Sequence, residues 1–347
     1  MNVKDSIIAE LRDVPKTEIH LHIEAVTTAN TVWKLIHKHN TKLENIGSIE
    51  DLESKFNVTS LTDFIDLFIN IVQKSFKEAG DFDLLMDDLR SYLNSNGIVY
   101  TEVYLAPTTF IKNGIDFSEI VSVLNKHADL IYKEDNIDIK FIIDVSRGFG
   151  LDNAMKNLDL TIANRTPRII GIGLGGAEKV GKAEIFAPVF EKAIKEGFRV
   201  VAHAGEDDDY TSINSAINNL KVERIGHGIS AMENEECMDS LKKLQIPLEI
   251  CPTSNLFTQT YVKKIEDHPV KKFYNRGIFV TINSDDPTLF GTTLLAEYAL
   301  LIQNKIFTKK EIGQLIINNL RATFMDQDLK DSLEIKMRES LNNKGYL

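Results

Sequence analysis

The chain has 347 residues, 43% of them hydrophobic, enough for one large core, and a formal net charge of −11. That acidic balance, with no run of lysines or arginines, excludes a nucleic-acid partner, and the absence of about 18 uninterrupted apolar residues excludes a spanning helix. The two cysteines, Cys237 and Cys251, are too few for a disulfide framework, and the charged start lacks a signal-peptide pattern, so a cytoplasmic protein is expected.

The dominant pattern along the chain is an alternation of short β-branched runs and longer segments with helical spacing. Thr17–His22 is the first candidate strand, and it ends in His20, His22 and Glu24. Residues 26–97 follow as a helical insertion, including the pattern Leu61–Phe76, on the face where barrel sites form. It reads either as a lid or as a plain packing segment. Ile98–Tyr104, Ile139–Val145 and Ile169–Leu174 are the next strands. Phe198–His203 leads into Glu206, Val222–His227 into Gly228, and Ile246–Cys251 into Pro252. Ile278–Asn283 is followed by Ser284, Asp285, Asp286 and Pro287, and from Thr308 onward the chain reads as further helix. Eight Ile- and Val-rich strands with little alternation, separated by helices, predict a closed parallel (β/α)₈ barrel in a single domain spanning 1–347.

Metal-binding and proton-moving side chains gather at the C-terminal ends of these strands. His20 and His22, two residues apart on one strand, share a side and face the barrel mouth. Taken singly, each histidine is more often a hydrogen-bonded core or surface residue, and Asp-Asp-Pro is more often a turn or helix start. Their coincidence at strand ends one, five, six and eight favours a metal site, and imidazoles with a carboxylate suit zinc. His37, His39, His127 and His268 lie in helical or loop segments and receive no role.

Gly171-Ile-Gly-Leu-Gly-Gly176 satisfies GxGxxG after a strand, but the helix opening and the acidic residue of a dinucleotide site are missing, and Glu178 would repel a pyrophosphate. No HExxH is present, and Cys251 stands in Cys-Pro-Thr-Ser rather than Pro-Cys-x-x-Cys, so zincin and cytidine-deaminase patterns fail.

Five segments together resemble the adenosine deaminase family of the amidohydrolase superfamily. They are Pro15-Lys-Thr-Glu-Ile-His-Leu-His-Ile-Glu24, Val201-Ala-His-Ala-Gly-Glu206, Arg224-Ile-Gly-His-Gly-Ile229, Leu248-Glu-Ile-Cys-Pro-Thr-Ser-Asn-Leu256 and Thr281-Ile-Asn-Ser-Asp-Asp-Pro-Thr-Leu-Phe290. The resemblance implies one Zn²⁺ held by His20, His22, His203 and Asp285. It implies Glu206 as proton shuttle, and His227 and Asp286 as the groups that orient and activate water. Asp286, His22 and Glu24 would meet the substrate, and Gly176 would offer its backbone to the purine.

The implied reaction is hydrolytic deamination of adenosine, or of a close 6-aminopurine nucleoside, to the inosine-type product and ammonia. Adenosine-acting members usually carry Asp and Gly where this chain has Glu24 and Ala25. Adenine-specific members often carry Glu, but tend to have Asp at Gly226 and a different segment at Thr288–Thr292. The balance favours a nucleoside, with Glu24 at the cavity rim accepting from a ribose hydroxyl. In the competing reading Glu24 caps the segment at Thr27 and Thr28. The alternatives are free adenine, a 5′-modified adenosine or futalosine-type nucleoside, and a non-catalytic binding member of the fold.

Overall fold

The computed structural model describes residues 3–43, 46–58 and 61–347, apart from the side chains of 61 and 62. Eight parallel strands follow one another around a single sheet: β1 Lys16–His22, β2 Ile98–Leu105, β3 Asp138–Asp144, β4 Ile169–Gly173, β5 Arg199–Ala204, β6 Arg224–His227, β7 Leu248–Ile250 and β8 Val280–Ile282. The protein is a (β/α)₈ barrel. Nearly every strand residue is buried, as strands covered on both faces require, and this explains their unalternating Ile/Val composition.

β8 and β1 close the circuit with few direct ladder bonds. Past the end of β8, Asp285 N–H donates to His20 O at 3.1 Å, and Asp285 O accepts from His22 N–H at 3.0 Å. Below this, side chains complete the seam. Asn283 Oδ1 accepts from Ile19 N–H at 3.1 Å, and Asn319 Oδ1 accepts from Ile282 N–H at 2.9 Å. Asn319 belongs to the helix Lys309–Ala322, which starts at Thr308 through a reciprocal bond with Glu311, so the tail helix expected there is present. The seam therefore brings the end of β8, with its acidic pair, against the two histidines of β1.

The barrel's interior is split in two. An apolar cluster of Tyr104, Ile142 and Val201 forms part of its filling. Beneath the mouth sits a charged layer, with Arg224 Nε 2.5 Å from Glu249 Oε1 and its Nη1 bonded to Glu102. Phe324 lies against that layer, its ring centroid 3.9 Å from the Arg224 guanidinium.

After β1 the chain makes a short turn, Ile23–Val26, then the helices Ala29–Lys38, Ile49–Lys55, Leu61–Ile65 with a wider-wound continuation Asp66–Gln73, and Phe82–Asn96. The apolar residues of this segment, among them Leu35, Leu52, Leu67, Phe76 and Leu89, run into the same core as the barrel helices. Phe64 of the insertion stacks on Phe290 at 5.0 Å and approaches Phe257 at 6.3 Å, tying it to the loops after β8 and β7. Among the described residues, no helix is long and apolar enough to cross a membrane.

Candidate active site

Four strand ends converge at the mouth. His20 Nε2 and His22 Nε2 stand 3.3 and 3.4 Å from Asp285 Oδ1. The His20 and His203 rings are 4.7 Å apart, and His22 and His203 5.3 Å. Asp285, at φ +65°, and His227, at φ +61°, adopt the left-handed region that side chains other than glycine rarely take, and there the backbone turns these groups inward.

The donor set fits a divalent cation. His20 Nε2, His203 Nε2 and Asp285 Oδ1 are buried without a hydrogen-bond partner. Ligands about 2.0–2.1 Å from a tetrahedral ion would stand about 3.3 Å apart, close to the His20–Asp285 and His22–Asp285 separations. His20 is held from behind: Glu249 Oε2 lies 2.7 Å from its Nδ1, so that nitrogen carries a proton and Nε2 is the one turned toward the ligand position. His20, His203 and His227 also place ring nitrogens within 4.8 Å of one another, and so do ligand atoms of His20, Cys251 and Asp285. Cys251 directs its thiol to Glu249 O at 3.5 Å, and burial together with the nearby Asp285 pushes that thiol well above its usual range.

Protonation follows from crowding. Burial would lower His20, but the Asp285 and Glu249 carboxylates outweigh it and lift it to about 10, so a cation binding there would displace the Nε2 proton. Burial takes His22 down to about 3, and with its neighbours takes His203 well below the ordinary range, which leaves neutral nitrogens free to ligate. Burial opposes ionisation of Asp285, yet the surrounding histidines hold it well below the usual carboxylate range. Asp286 goes the other way, raised by burial and by Asp285 beside it.

Glu206 follows β5 with its Oε2 3.6 Å from His203 Nδ1 and 3.4 Å from His227 Nε2, so it shares the cavity with both. Its turn is fixed by Glu178, whose carboxylate accepts from Gly205 N–H at 2.8 Å, Glu206 N–H at 2.7 Å and Asp207 N–H at 3.2 Å, and also from the Ser212 hydroxyl. The glycine-rich run after β4 thus serves as a close-approach loop: a Cβ on Gly175 would come 2.4 Å from Asp144 Oδ2. Gly176, at φ +94°, is exposed at the tip of that turn.

Glu24 does not stand where the sequence placed it. It leaves β1 in the Ile23–Val26 turn, is 0% exposed, and its Oε1 accepts from Ala106 N–H at 2.9 Å, so it is buried rather than open to solvent at a rim. Its side chain caps neither Thr27 nor Thr28; only its backbone carbonyl meets Thr27 N–H. The turn redirects the chain at Ile23, which ends the strand alternation that placed Glu24 beside His22. Its Oε2 is buried without a partner, and burial, helped by Asp144, raises the carboxyl to about 7.

Several residues escaped sequence reasoning. Glu249 and Tyr104 support the histidines: Tyr104 stacks on His22 at 5.2 Å and donates to Glu249 at 2.9 Å. A Glu between Leu248 and Ile250, in a strand buried on both faces, was itself a signal, because a buried charge requires partners. Asn255 and His268 stand behind His227 and had no such signal.

The family model described as Adenosine deaminase matches residues 15–340. An adenine deaminase of Crocosphaera subtropica is 31% identical over 94% of this chain and 99% of its own length. An aminodeoxyfutalosine deaminase of Streptomyces avermitilis is 30% identical over 90% of this chain and 87% of its own. The crystal structure of adenine deaminase from Arthrobacter aurescens superposes with a TM-score of 0.89 at 28% identity, covering 94% of this chain and 99% of that one.

Proposed function

The chain belongs to the adenosine deaminase family and is a hydrolytic deaminase acting on the C–N bond of a cyclic amidine; on that premise we propose that its substrate is free adenine, converted to the 6-oxo base and ammonia. The observation that carries this reading is a pair of carboxyl oxygens, Glu24 Oε2 and Asp286 Oδ1, both buried without a partner. Adenine keeps an N–H on its five-membered ring, a donor of the kind such oxygens need. A nucleoside carries its sugar there instead. Glu24, tied to Ala106 through Oε1, is buried rather than open at a rim where a ribose hydroxyl was expected. The relatives named adenine deaminase support the same choice. A futalosine-type nucleoside is the second reading, favoured by Gly226 and by the Thr288–Thr292 segment, which depart from the adenine-specific pattern.

The ligands in this reading are His20, His22, His203 and Asp285, and the ion is zinc, one per chain. Held by these residues, zinc would supply a hydroxide nucleophile near neutral pH, since it can lower the pKa of water to about 7. Glu206 holds a proton and delivers it to the ring nitrogen beside C6, which makes that carbon electrophilic. His227, between Glu206 and Asp285, hydrogen-bonds the oxygen added at C6. Asp286, whose carboxyl is raised by burial and by Asp285, can donate to a ring acceptor when protonated or accept from a ring N–H when ionised. The Gly176 turn offers a backbone group to the purine edge. Water adds at C6, Glu206 passes the proton of the added hydroxyl to the amine, and ammonia leaves, while the proton first delivered stays on the ring nitrogen of the 6-oxo base.

Two measurements test the assignment. Across adenine, adenosine, deoxyadenosine and a 5′-substituted adenosine, kcat/KM for adenine is expected to exceed the nucleosides by at least about 10²-fold. A nucleoside as best substrate overturns the base assignment and leaves the deamination chemistry standing. Glu206→Gln keeps size and loses the proton, so kcat should fall about 10²–10⁴-fold at unchanged zinc content.

A further inference from the structure

Behind His227 lies a chain of hydrogen bonds that begins at a group whose role cannot be reversed. Val270 N–H, a backbone donor, reaches His268 Nδ1 at 3.1 Å. That ring nitrogen must therefore accept, and in a neutral imidazole the proton then sits on Nε2. His268 is neutral, because burial takes it down to about 3. Its Nε2 lies 3.2 Å from Asn255 Oδ1, which must accept, and this orients the amide. Asn255 Nδ2 is then the group 3.1 Å from His227 Nδ1, and it can only donate. His227 Nδ1 accepts, so its own proton is on Nε2, the nitrogen facing Glu206 and Asp285.

We infer that His268 and Asn255 are positioning residues that lock His227 as the Nε2–H tautomer, making it a fixed hydrogen-bond donor to the oxygen added to the substrate. The inference rests on the reading above, in which His227 meets that oxygen. Two consequences follow from the proton's place. A protonated Nε2 offers no lone pair to a metal, so His227 stands outside the ligand set although its ring is 5.0 Å from both His20 and His203. A neutral Nε2–H also cannot take a proton from water, so proton transfer is left to Glu206.

Each member of the chain is buried, and each bond is set by the one before it, so reversing a single donor reverses everything downstream. Asn255→Asp makes that change with almost no change in shape. A carboxylate still accepts from His268 Nε2–H, but it also accepts from His227, which moves the proton to Nδ1 and turns Nε2 into an acceptor, or charges the ring. In a catalytic triad the wrong histidine tautomer costs about 10⁴-fold in kcat. Here, where His227 is one of several stabilising groups, a loss of about 10²-fold is expected with KM within about threefold.

The direct test is the ¹⁵N spectrum of histidine-labelled holoenzyme, with the His227 signal assigned by its loss in His227→Ala. The wild type should show the Nε2–H tautomer, and Asn255→Asp should show the Nδ1–H or doubly protonated form. His268→Leu should mix the tautomers and lower kcat, whereas His268→Gln, which restores a donor to Asn255 Oδ1, should recover most of it. Zinc content should stay near one per chain throughout. A wild-type spectrum with the proton on Nδ1 overturns the inference whether or not any variant folds. Asn255→Asp with kcat within threefold of wild type overturns it as well. A fully active His227→Ala would instead remove the underlying reading of His227, and the wild-type tautomer would still be decided by its own spectrum.

Discussion

Glu249 illustrates how a residue outside the cavity can set the chemistry within it. Burial would raise its pKa, but Arg224, His20 and Tyr104 bring it down to about 2, so it remains a carboxylate at every working pH. A permanent acceptor at His20 Nδ1 keeps Nε2 turned toward the ligand position. Partners of this kind typically change metal affinity by about 10–100-fold, and Glu249→Gln should weaken zinc binding by that order in competition with a chelator. Unchanged affinity would reduce Glu249 to a packing partner of Arg224. Gly226 acts at the same scale by being small. A Cβ there would stand 2.8 Å from His20 Cε1 and 3.2 Å from His203 Cδ2. Gly226→Ala should therefore displace both rings and lower zinc content, and a variant with full zinc and full kcat would show that the rings can give way freely.

At the scale of elements, the loops after β4 and β5 behave as one unit because Glu178 spans them. The exchange is reciprocal, since Asp207 Oδ1 accepts from Glu178 N–H at 3.0 Å. Removing the carboxylate leaves the N–H groups of Gly205, Glu206 and Asp207 without their acceptor. Unsatisfied donors cost about 1–3 kcal/mol each, so Glu178→Ala should destabilise the protein by about 3 kcal/mol or more. Thermal unfolding should shift down by about 4 °C or more, and a shift below about 1 °C would mean that water replaces the carboxylate. The sequence drew attention to Glu178 only as an obstacle to a pyrophosphate. Its partners lie almost thirty residues downstream, and neither spacing nor composition connects the two loops.

Over the whole molecule, the buried carboxyls set a pH dependence whose sign can be worked out. Burial raises Glu18 to about 7 from an ordinary 4.5, despite its bonds from Ser284 and Tyr92. Burial likewise raises Glu297 to about 7. Between about pH 4.5 and 7 the folded chain holds protons that the unfolded chain has released, so stability from these groups is full below 4.5, falls as pH rises through 7 and levels off above. Glu18→Gln removes one such group and can keep its contacts: the amide oxygen accepts from Ser284, at 2.8 Å to N and 2.7 Å to Oγ in the wild type, and its NH₂ can donate to the Tyr92 hydroxyl. The variant should therefore gain stability relative to wild type as pH rises from 4.5 to 7. A gap in midpoint that stays constant across this range would show that Glu18 does not titrate there.

What the sequence by itself determined is the part of the protein written in contiguous residues. Strand runs such as Ile139–Val145, the Thr308–Glu311 helix start, the barrel order and the family motifs were all legible, because each rests on local spacing or on a short string of side chains. Histidines at strand ends were legible for the same reason, since β-strand geometry fixes which way His20 and His22 face. Tertiary structure decided what depends on distant contacts: the burial of Glu24 behind Ala106, the Asn283 and Asn319 seam, the Glu178 bridge, and the path from Val270 to His227. The physical reason is that a polar side chain's role is set by its partners and its access to water, and folding supplies both from residues far away in the chain. Glu24 is the clearest case. Strand alternation carried it to the rim on paper, and one turn at Ile23 took it out of solvent and tied it to Ala106.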